Sequence, residues 1–274
     1  MRLRLIAIAL FLANAALPAQ TDSARKVTPP DLTVRPDSVA AVRVLAEQGD
    51  AKAQMVLGIV YFEGRAVAKD FAEALSWFRK AAAQGNAFAQ YYVGLMYMNG
   101  QGVAKDAGEA ATWYRTAAEQ NVAPAQYNLS VLYGTGQGVR KNAADAAQWC
   151  RKAAEQGHPW AQFTLGLLYE KGDGVPKDEI ESARWHQKAA EQGVAPAQYW
   201  VAFYYSKGTG GLPLDQVQAY MWTILAAPRL KTFPSDERKL KRLQRALESK
   251  IGAEEIAEAR QMAQDWRPRQ TTWR

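Results

Sequence analysis

One stretch of the sequence decides the fold: residues 89–120, which read AQYYVGLMYMNGQGVAKDAGEAATWYRTAAEQ. Its opening dipeptide, Ala-Gln, returns along the chain at a constant interval of 36 residues. A fixed period of about 20 to 50 residues is typical of solenoids, in which short structural units stack in a row. The five copies that share this interval begin at Ala53, Ala89, Ala125, Ala161 and Ala197.

Each period predicts two helices. In the first copy, Ala53, Leu57 and Val60 follow the 3.6-residue spacing of one helix face, and Gly64 ends that helix. Asp70, with Glu73 three residues later, then has the pattern of an N-cap that opens a second helix. Neither helix pair can bury its apolar face alone, so neighbouring repeats must stack. Four further columns repeat through the chain: a tyrosine (61, 97, 133, 169, 205), a small residue (58, 94, 130, 166, 202), a tryptophan (77, 113, 149, 185) and an Ala-Ala pair.

The motifs of residues 89–120 are Val93-Gly94, Tyr97, a Gly-Gln-Gly-Val loop, Lys105-Asp106, Trp113-Tyr114 and a closing Ala-Ala-Glu-Gln. This pattern resembles the Sel1-like repeat, a relative of the tetratricopeptide repeat, and the chain is similar to exported bacterial members of that family. The resemblance implies an all-α fold, an α/α solenoid of five Sel1-like helix-turn-helix repeats with helical caps. The chain departs from the pattern at Ala66, Ser130 and Ala202, where glycine is usual, and in a longer last loop.

The N-terminus has the pattern of a secretory signal. Arg2 and Arg4 precede an apolar run of about a dozen residues, which is shorter than the roughly 20 that a spanning helix needs. We therefore predict a signal peptide over residues 1–19, with an uncleaved membrane anchor as the alternative, and a periplasmic or secreted mature protein. A flexible linker over 20–36, an N-terminal capping helix over 37–52, the repeats over 53–228 and a helical cap over 229–274 complete the predicted domains.

Positive charge is concentrated in the tail. Of the chain's net charge of +7, residues 229–274 carry +5, from twelve basic and seven acidic side chains. One predicted helix near residues 235–250 holds six of these twelve basic side chains. We expect an anionic envelope surface or another acidic partner to bind there. The alternative is a solvated outer face of a capping helix. The candidate residues are Lys239, Lys241, Arg242 and Arg245.

The sequence offers no convincing catalytic or metal-binding group. Cys150 follows the tryptophan column, where we expect a buried packing position, and His186 occupies the same column. Two histidines in different repeats do not form a metal-ligand spacing, and the Gly-x-Gly pairs follow helices rather than strands. We therefore predict no enzyme activity, no metal, no cofactor and no nucleic-acid partner.

The resemblance implies that the first helices line a concave groove. Positions four, seven and eleven residues apart along those helices share one face, and that face varies from repeat to repeat. We expect it to bind a partner protein or peptide, which makes the protein an exported scaffold or adaptor, and the resemblance implies a role in envelope signalling. The alternatives are packing of these rings between repeats, a cell-wall or polysaccharide binding module, or a hydrolase of cell-wall or β-lactam substrates. The candidate binding residues are Phe88, Tyr92, Asn128, Trp160, Thr164, Trp200, Phe203 and Lys207.

Overall fold

The structure is a computed structural model that describes residues 36–64, 66–231 and 234–269. The predicted signal peptide and all of the predicted linker except Pro36 lie outside these residues. The described chain is helical and contains no strand. Its thirteen helices are α1 (Pro36–Glu47), α2 (Ala51–Glu63), α3 (Phe71–Ala83), α4 (Ala87–Asn99), α5 (Ala107–Glu119), α6 (Ala123–Thr135), α7 (Ala143–Glu155), α8 (Pro159–Lys171), α9 (Glu179–Glu191), α10 (Ala195–Lys207), α11 (Gln216–Leu230), α12 (Pro234–Glu248) and α13 (Ala253–Asp265).

The predicted caps begin the second helix of the repeats. Asp70, Asp106 and Asp178 each accept hydrogen bonds from two backbone N–H groups of the following turn, and Asn142 does the same before α7. These bonds satisfy donors that a helix start leaves unpaired. The first helices end at a glycine with left-handed backbone angles, as Gly64 and Gly100 show. The predicted two-helix repeat is therefore confirmed.

The second glycine of the inter-helix loop lies against the start of the second helix in the preceding repeat. Gly102 has a φ of +68°, and a Cβ there would clash with the backbone carbonyl of Phe71. Ala66, the equivalent residue of the first repeat, also has positive φ, at 62°. The loop therefore keeps the same left-handed conformation without glycine there, at the modest strain that alanine carries in this region.

The described residues form two compact units, one up to Trp149 and one from Cys150 onward. In unit one, α1 to α6 pack in chain order, each helix against the next. The core there is built by small alanines and by the rings of Phe78 and Tyr114. In unit two, α8 to α11 pack in the same manner, and α11 contacts both tail helices. Leu240 of α12 joins Ala195, Ala226 and Leu230 in one apolar cluster.

The Ala-Gln dipeptide has a structural role, since its glutamines are buried and hydrogen-bonded. In every repeat the side-chain nitrogen donates to the carbonyl of an alanine eight residues earlier, at 3.0 to 3.4 Å. The side-chain oxygen of Gln54, Gln90 and Gln162 accepts from a second glutamine thirty residues later, at 2.6 to 2.8 Å. Because buried amides are costly when unpaired, these bonds hold successive second helices in register. We call this set the glutamine ladder.

The glutamine ladder stops in the last repeat. Position 228, thirty residues after Gln198, is a proline, and the side-chain oxygen of Gln198 is buried without a hydrogen-bond partner in the described structure. Arg229 replaces a glutamine in a nearby hydrogen bond of the repeat, since its guanidinium donates to the carbonyl of Gly193 at 3.1 Å. In the previous repeat Gln192 makes the equivalent bond to Gly157. The tail therefore departs from the repeat chemistry at Pro228.

Candidate functional site

The predicted binding residues all lie on first helices of the repeats. Phe88 and Tyr92 belong to α4 and Asn128 to α6, in unit one. Trp160 and Thr164 belong to α8, and Trp200, Phe203 and Lys207 to α10, in unit two. We call these two sets the first-helix faces of unit one and unit two.

In unit one the rings combine packing with exposure. Tyr92 is half-buried, and it stacks on Phe78 with ring centroids 4.8 Å apart and an interplanar angle of 7°. Phe62 meets the ring of Tyr92 edge-on at 5.7 Å. Phe88, one turn earlier, keeps 39% of its surface exposed. Of the two predicted aromatic anchors, Phe88 is the ring that a partner can contact most freely, whereas Tyr92 also supports the core.

Asn128 interacts with two tyrosine phenol groups of unit one. It hydrogen-bonds to the phenol groups of Tyr91 and Tyr114, although burial is the larger effect and raises the pKa of Tyr91 to about 12. Tyr114 is almost fully buried, and its pKa is likewise raised by burial. Asn128 itself is half-buried.

In unit two a histidine lies under the aromatic face. The ring of Trp200 stacks on His186 with centroids 5.4 Å apart and an interplanar angle of 4°. Phe203 meets Trp200 edge-on at 5.9 Å. His186 is fully buried, both ring nitrogens lack hydrogen-bond partners in the described structure, and burial lowers its pKa to about 3. His186 therefore fills the buried packing position expected for its column, and its ring packs there as an aromatic.

The remaining residues of this face are more open. Trp160 and Thr164 are half-buried, and Trp160 meets Phe163 edge-on at 6.1 Å. Lys207, at the end of α10, is exposed, as is Lys171 at the same position of α8. Although Lys171 is exposed overall, partial desolvation of its ammonium group lowers its pKa. The carboxylates of Glu170 and Asp173 oppose this shift, and the positive charge of Lys239 adds to it. The face therefore combines packed rings with lysines at the helix ends.

The basic helix is α12, and its four candidates differ. Lys239 pairs with Asp236 at 2.9 Å and Lys241 with Glu237 at 2.7 Å. Arg242 and Arg245 are not buried, and neither forms an ion pair within the described part of the chain. Exposed ion pairs are weak, typically 0 to about 1 kcal/mol, so the lysines stay available at small cost. Arg238, Arg242 and Arg245 follow the spacing of one helix face and provide the unpaired charge.

Cys150 and the possible metal ligands were the residues of the chain most open to a chemical role. Cys150 is buried, as predicted, and its thiol donates to the carbonyl oxygen of Ala161 at 3.3 Å. No group of three metal-ligating side chains occurs in the described residues. The described helices also include none that is both long and apolar enough to span a bilayer.

Comparison with known proteins decides the family. The Sel1 repeat matches five consecutive stretches, residues 51–86, 87–122, 123–158, 161–194 and 195–227. The chain belongs to the Sel1 repeat family. A Sel1 repeat protein from Oxalobacter formigenes has the same fold, with a TM-score of 0.68 and 32% identity over 86% of this chain and 92% of that one.

Two relatives from Escherichia coli carry the same repeat. The structure of c5321, a protective antigen present in uropathogenic strains, matches with a TM-score of 0.66 and 31% identity over 83% of this chain and 56% of that one. The secretory immunoglobulin A-binding protein EsiB of strain CFT073 is 53% identical over 36 residues. That match covers 13% of this chain and 7% of EsiB, so it extends over a single repeat length. Sel1 repeats form scaffolds for protein–protein interaction and are generally non-enzymatic.

Two features of this Sel1 protein went unrecognised in the sequence. The glutamine ladder was visible as a second recurring glutamine, thirty residues after the first. The other feature is an arginine that precedes four of the five column tyrosines by 18 residues. Arg79, Arg115 and Arg151 donate to the hydroxyls of Tyr97, Tyr133 and Tyr169 at 2.6 to 2.8 Å. Arg43 of α1 makes the same bond to Tyr61, so α1 takes the place of a second helix before the first repeat.

Proposed function

We propose that this Sel1 repeat protein is a non-enzymatic adaptor that holds a segment of a partner protein on its first-helix faces. The observation that carries the proposal is the state of the rings on those faces. Tyr92 and Trp200 are held in place by stacking on core rings, and Trp160 by an edge-on contact with Phe163. Phe88 beside them keeps 39% of its surface exposed. A rigid, partly exposed ring loses little conformational entropy on binding, which is why aromatic side chains dominate interface energetics.

For unit two the charges favour an acidic segment. Lys171 and Lys207 occupy the same position of successive first helices, and neither forms an ion pair in the described residues. The positive charge of Lys239 also acts on Lys171, against the larger opposing effects of the Glu170 and Asp173 carboxylates. A peptide with apolar side chains for the rings and carboxylates for the lysines would match this face.

The test is a selection of peptides from a random display library on the full chain. We expect the selected peptides to lose at least about tenfold in affinity when Phe88 or Trp160 becomes alanine, because a buried aromatic anchor typically contributes about 2 kcal/mol or more. Ile180→Ala and Leu214→Ala are the matched controls, since both side chains are more than half exposed and neither lies on a first helix. Tyr92→Ala and Trp200→Ala are poor probes, because both rings also pack on the core. Peptides that are indifferent to Phe88 and Trp160, or that soluble glycan displaces, would contradict the proposal.

We further propose that α12 docks on an anionic envelope surface through the face formed by Arg238, Arg242 and Arg245. Each exposed basic residue near an anionic membrane contributes about 1 kcal/mol, and salt screens the attraction. Binding of the full chain to vesicles that contain anionic lipid should therefore fall in Arg242→Gln/Arg245→Gln more than in Lys239→Gln/Lys241→Gln. If the full chain binds neutral vesicles as well as vesicles that contain anionic lipid, the proposal is contradicted and α12 is a cap alone.

Export is part of the same proposal. It rests on the basic and apolar pattern of residues 1–19, which lie outside the described structure. N-terminal sequencing of the protein from its source cells should begin near residue 16 or 20, after Ala15 or Ala19, if the signal is cleaved. An N-terminus that retains Met1 would contradict cleavage.

A further inference from the structure

An open cavity of about 550 Å³ lies in unit one, next to the loop between α6 and α7. Arg115 of α5, Tyr133 of α6, residues 139–142 of the loop and Asp145 of α7 line it. Three of these side chains are cations, Arg115, Arg140 and Lys141, and one is a carboxylate. The cavity shares no residue with the first-helix face of unit one.

The same positions in other repeats carry balanced charge. At the positions equivalent to the cavity lining, the first, second and fourth repeats each hold two basic and two acidic residues, so their net charge is zero. The third repeat differs at two of these positions, and both differences make the net charge more positive. Arginine replaces an uncharged residue at 140, and asparagine replaces aspartate at 142. The net charge of this cavity is therefore +2. The equivalent sets are Arg43, Lys69, Asp70 and Glu73; Arg79, Lys105, Asp106 and Glu109; and Arg151, Lys177, Asp178 and Glu181.

Helix stability does not account for the asparagine. Asn142 caps α7 through bonds to the N–H groups of Ala144 and Asp145, at 3.0 and 3.3 Å. Aspartate caps the other repeats in the same geometry, and its charge also interacts favourably with a helix N-terminus. The exchange therefore gives up a negative charge without improving the cap. It changes the potential in the cavity, and it adds one local bond from the asparagine amide to Asp145.

The donors in the cavity remain available to a ligand. Arg115 is half-buried and uses one guanidinium nitrogen for the hydroxyl of Tyr133, at 2.8 Å. Arg140 and Lys141 are exposed and form no ion pair in the described residues. The side-chain nitrogen of Asn142 donates to Asp145 at 2.7 Å, so the single carboxylate already has a neutral partner. Two arginines and a lysine around one cavity match the charge and the hydrogen-bonding chemistry of an oxyanion.

We propose that this cavity binds a doubly charged oxyanion, of the class of phosphate monoesters. Two arginines supply donors for the oxygens, Lys141 adds charge, and the net charge of +2 balances the ligand. The volume leaves space for a small body attached to the charged group. Repeats that keep the balanced set would have no such site.

The test is isothermal titration of the full chain at low salt and about pH 8, where phosphate monoesters are dianionic. The two probes are inorganic phosphate and O-phosphoserine. We expect saturable binding at one site, weakened at least about tenfold in Arg140→Ala/Asn142→Asp, since the variant loses a charge-assisted bond and regains a negative charge. This variant installs the residues of the second repeat, so its helical content should equal that of the wild type.

A transplant provides the converse experiment. Ala104→Arg/Asp106→Asn gives the second repeat the charges of the third, and we expect a second binding site of similar affinity. Tighter binding of O-phosphoserine than of phosphate would assign the site to a phosphorylated group, and equal binding would assign it to the free anion; both outcomes support an oxyanion site. Absence of saturable binding, or equal affinities in the wild type and Arg140→Ala/Asn142→Asp, would overturn the proposal.

Discussion

Replacing His186 with phenylalanine should stabilise the protein. The first repeat already has this arrangement, since Phe78 packs on Gly58 and stacks on Tyr92, as His186 packs on Gly166 and stacks on Trp200. Each buried polar group without a partner costs about 1–3 kcal/mol, and His186 has two such nitrogens. The six-membered ring is larger than imidazole, and overpacking by it should offset about 1–3 kcal/mol of this gain in stability. We therefore expect a net gain of about 1–2 kcal/mol at neutral pH.

The pH dependence of His186→Phe makes the prediction specific. Burial lowers the pKa of His186 to about 3 in the folded protein, against about 6.5 when unfolded. The unfolded chain therefore binds the proton first, so wild-type stability is complete above about pH 6.5 and falls as the pH drops toward about 3. At about pH 5 this loss amounts to roughly 2 kcal/mol. The advantage of His186→Phe should widen by that amount.

Urea unfolding followed by circular dichroism, at about pH 7 and about pH 5, measures both effects. The chain has only one other histidine, His158, whose ring accepts a bond from the N–H of Ala161 as an N-cap. Its pKa is also lowered by burial. His158→Asn is the comparison variant: it keeps the cap, as Asn86 does in the second repeat, and it should reduce the pH dependence without the gain at neutral pH. A His186→Phe protein with the wild-type dependence on pH, or with lower stability at both values, would refute the reasoning.

Two further pairs of variants test the repeat chemistry. Gln162→Met removes two hydrogen bonds of the side-chain amide, whereas Gln198→Met removes one and also removes an unpaired oxygen. Gln162→Met should therefore lower the free energy of urea unfolding by at least about 1 kcal/mol more than Gln198→Met does. Equal costs would contradict the glutamine ladder. Gly102→Ala places a Cβ on a left-handed residue and against the backbone of Phe71, so it should lower the free energy of unfolding by more than about 2 kcal/mol. Ala66→Gly should change the free energy of unfolding by no more than about 1 kcal/mol. Comparable effects of the two would show that the loop relaxes.

The helical phase of the repeats was predictable because it rests on local chemistry. Asp70 and Asp106 act as caps within one turn of their own position, and Gly64 and Gly100 end helices through their own backbone. Such features need no knowledge of distant partners. The burial of Cys150 and His186 followed from their column, since neighbouring columns repeat the same packing position in every copy.

The candidate site was harder to predict, since periodicity places a ring on a face without showing what lies beneath it. Tyr92 and Trp200 were expected on the first-helix faces, and they lie there, but each also stacks on a second-helix ring. Lys239 and Lys241 were grouped with Arg242 and Arg245 by charge alone; the ion pairs that separate them depend on the helical phase of Asp236 and Glu237.

The most direct test of the adaptor is hydrogen exchange of the full chain, with and without a peptide selected from the display library. Within unit one or unit two, the account predicts that bound peptide slows exchange in the first helices, α4 and α6 or α8 and α10. The second helices of the same unit, α3 and α5 or α9, should change little. Protection confined to second helices, to the inter-helix loops or to α12 would contradict binding on the first-helix faces.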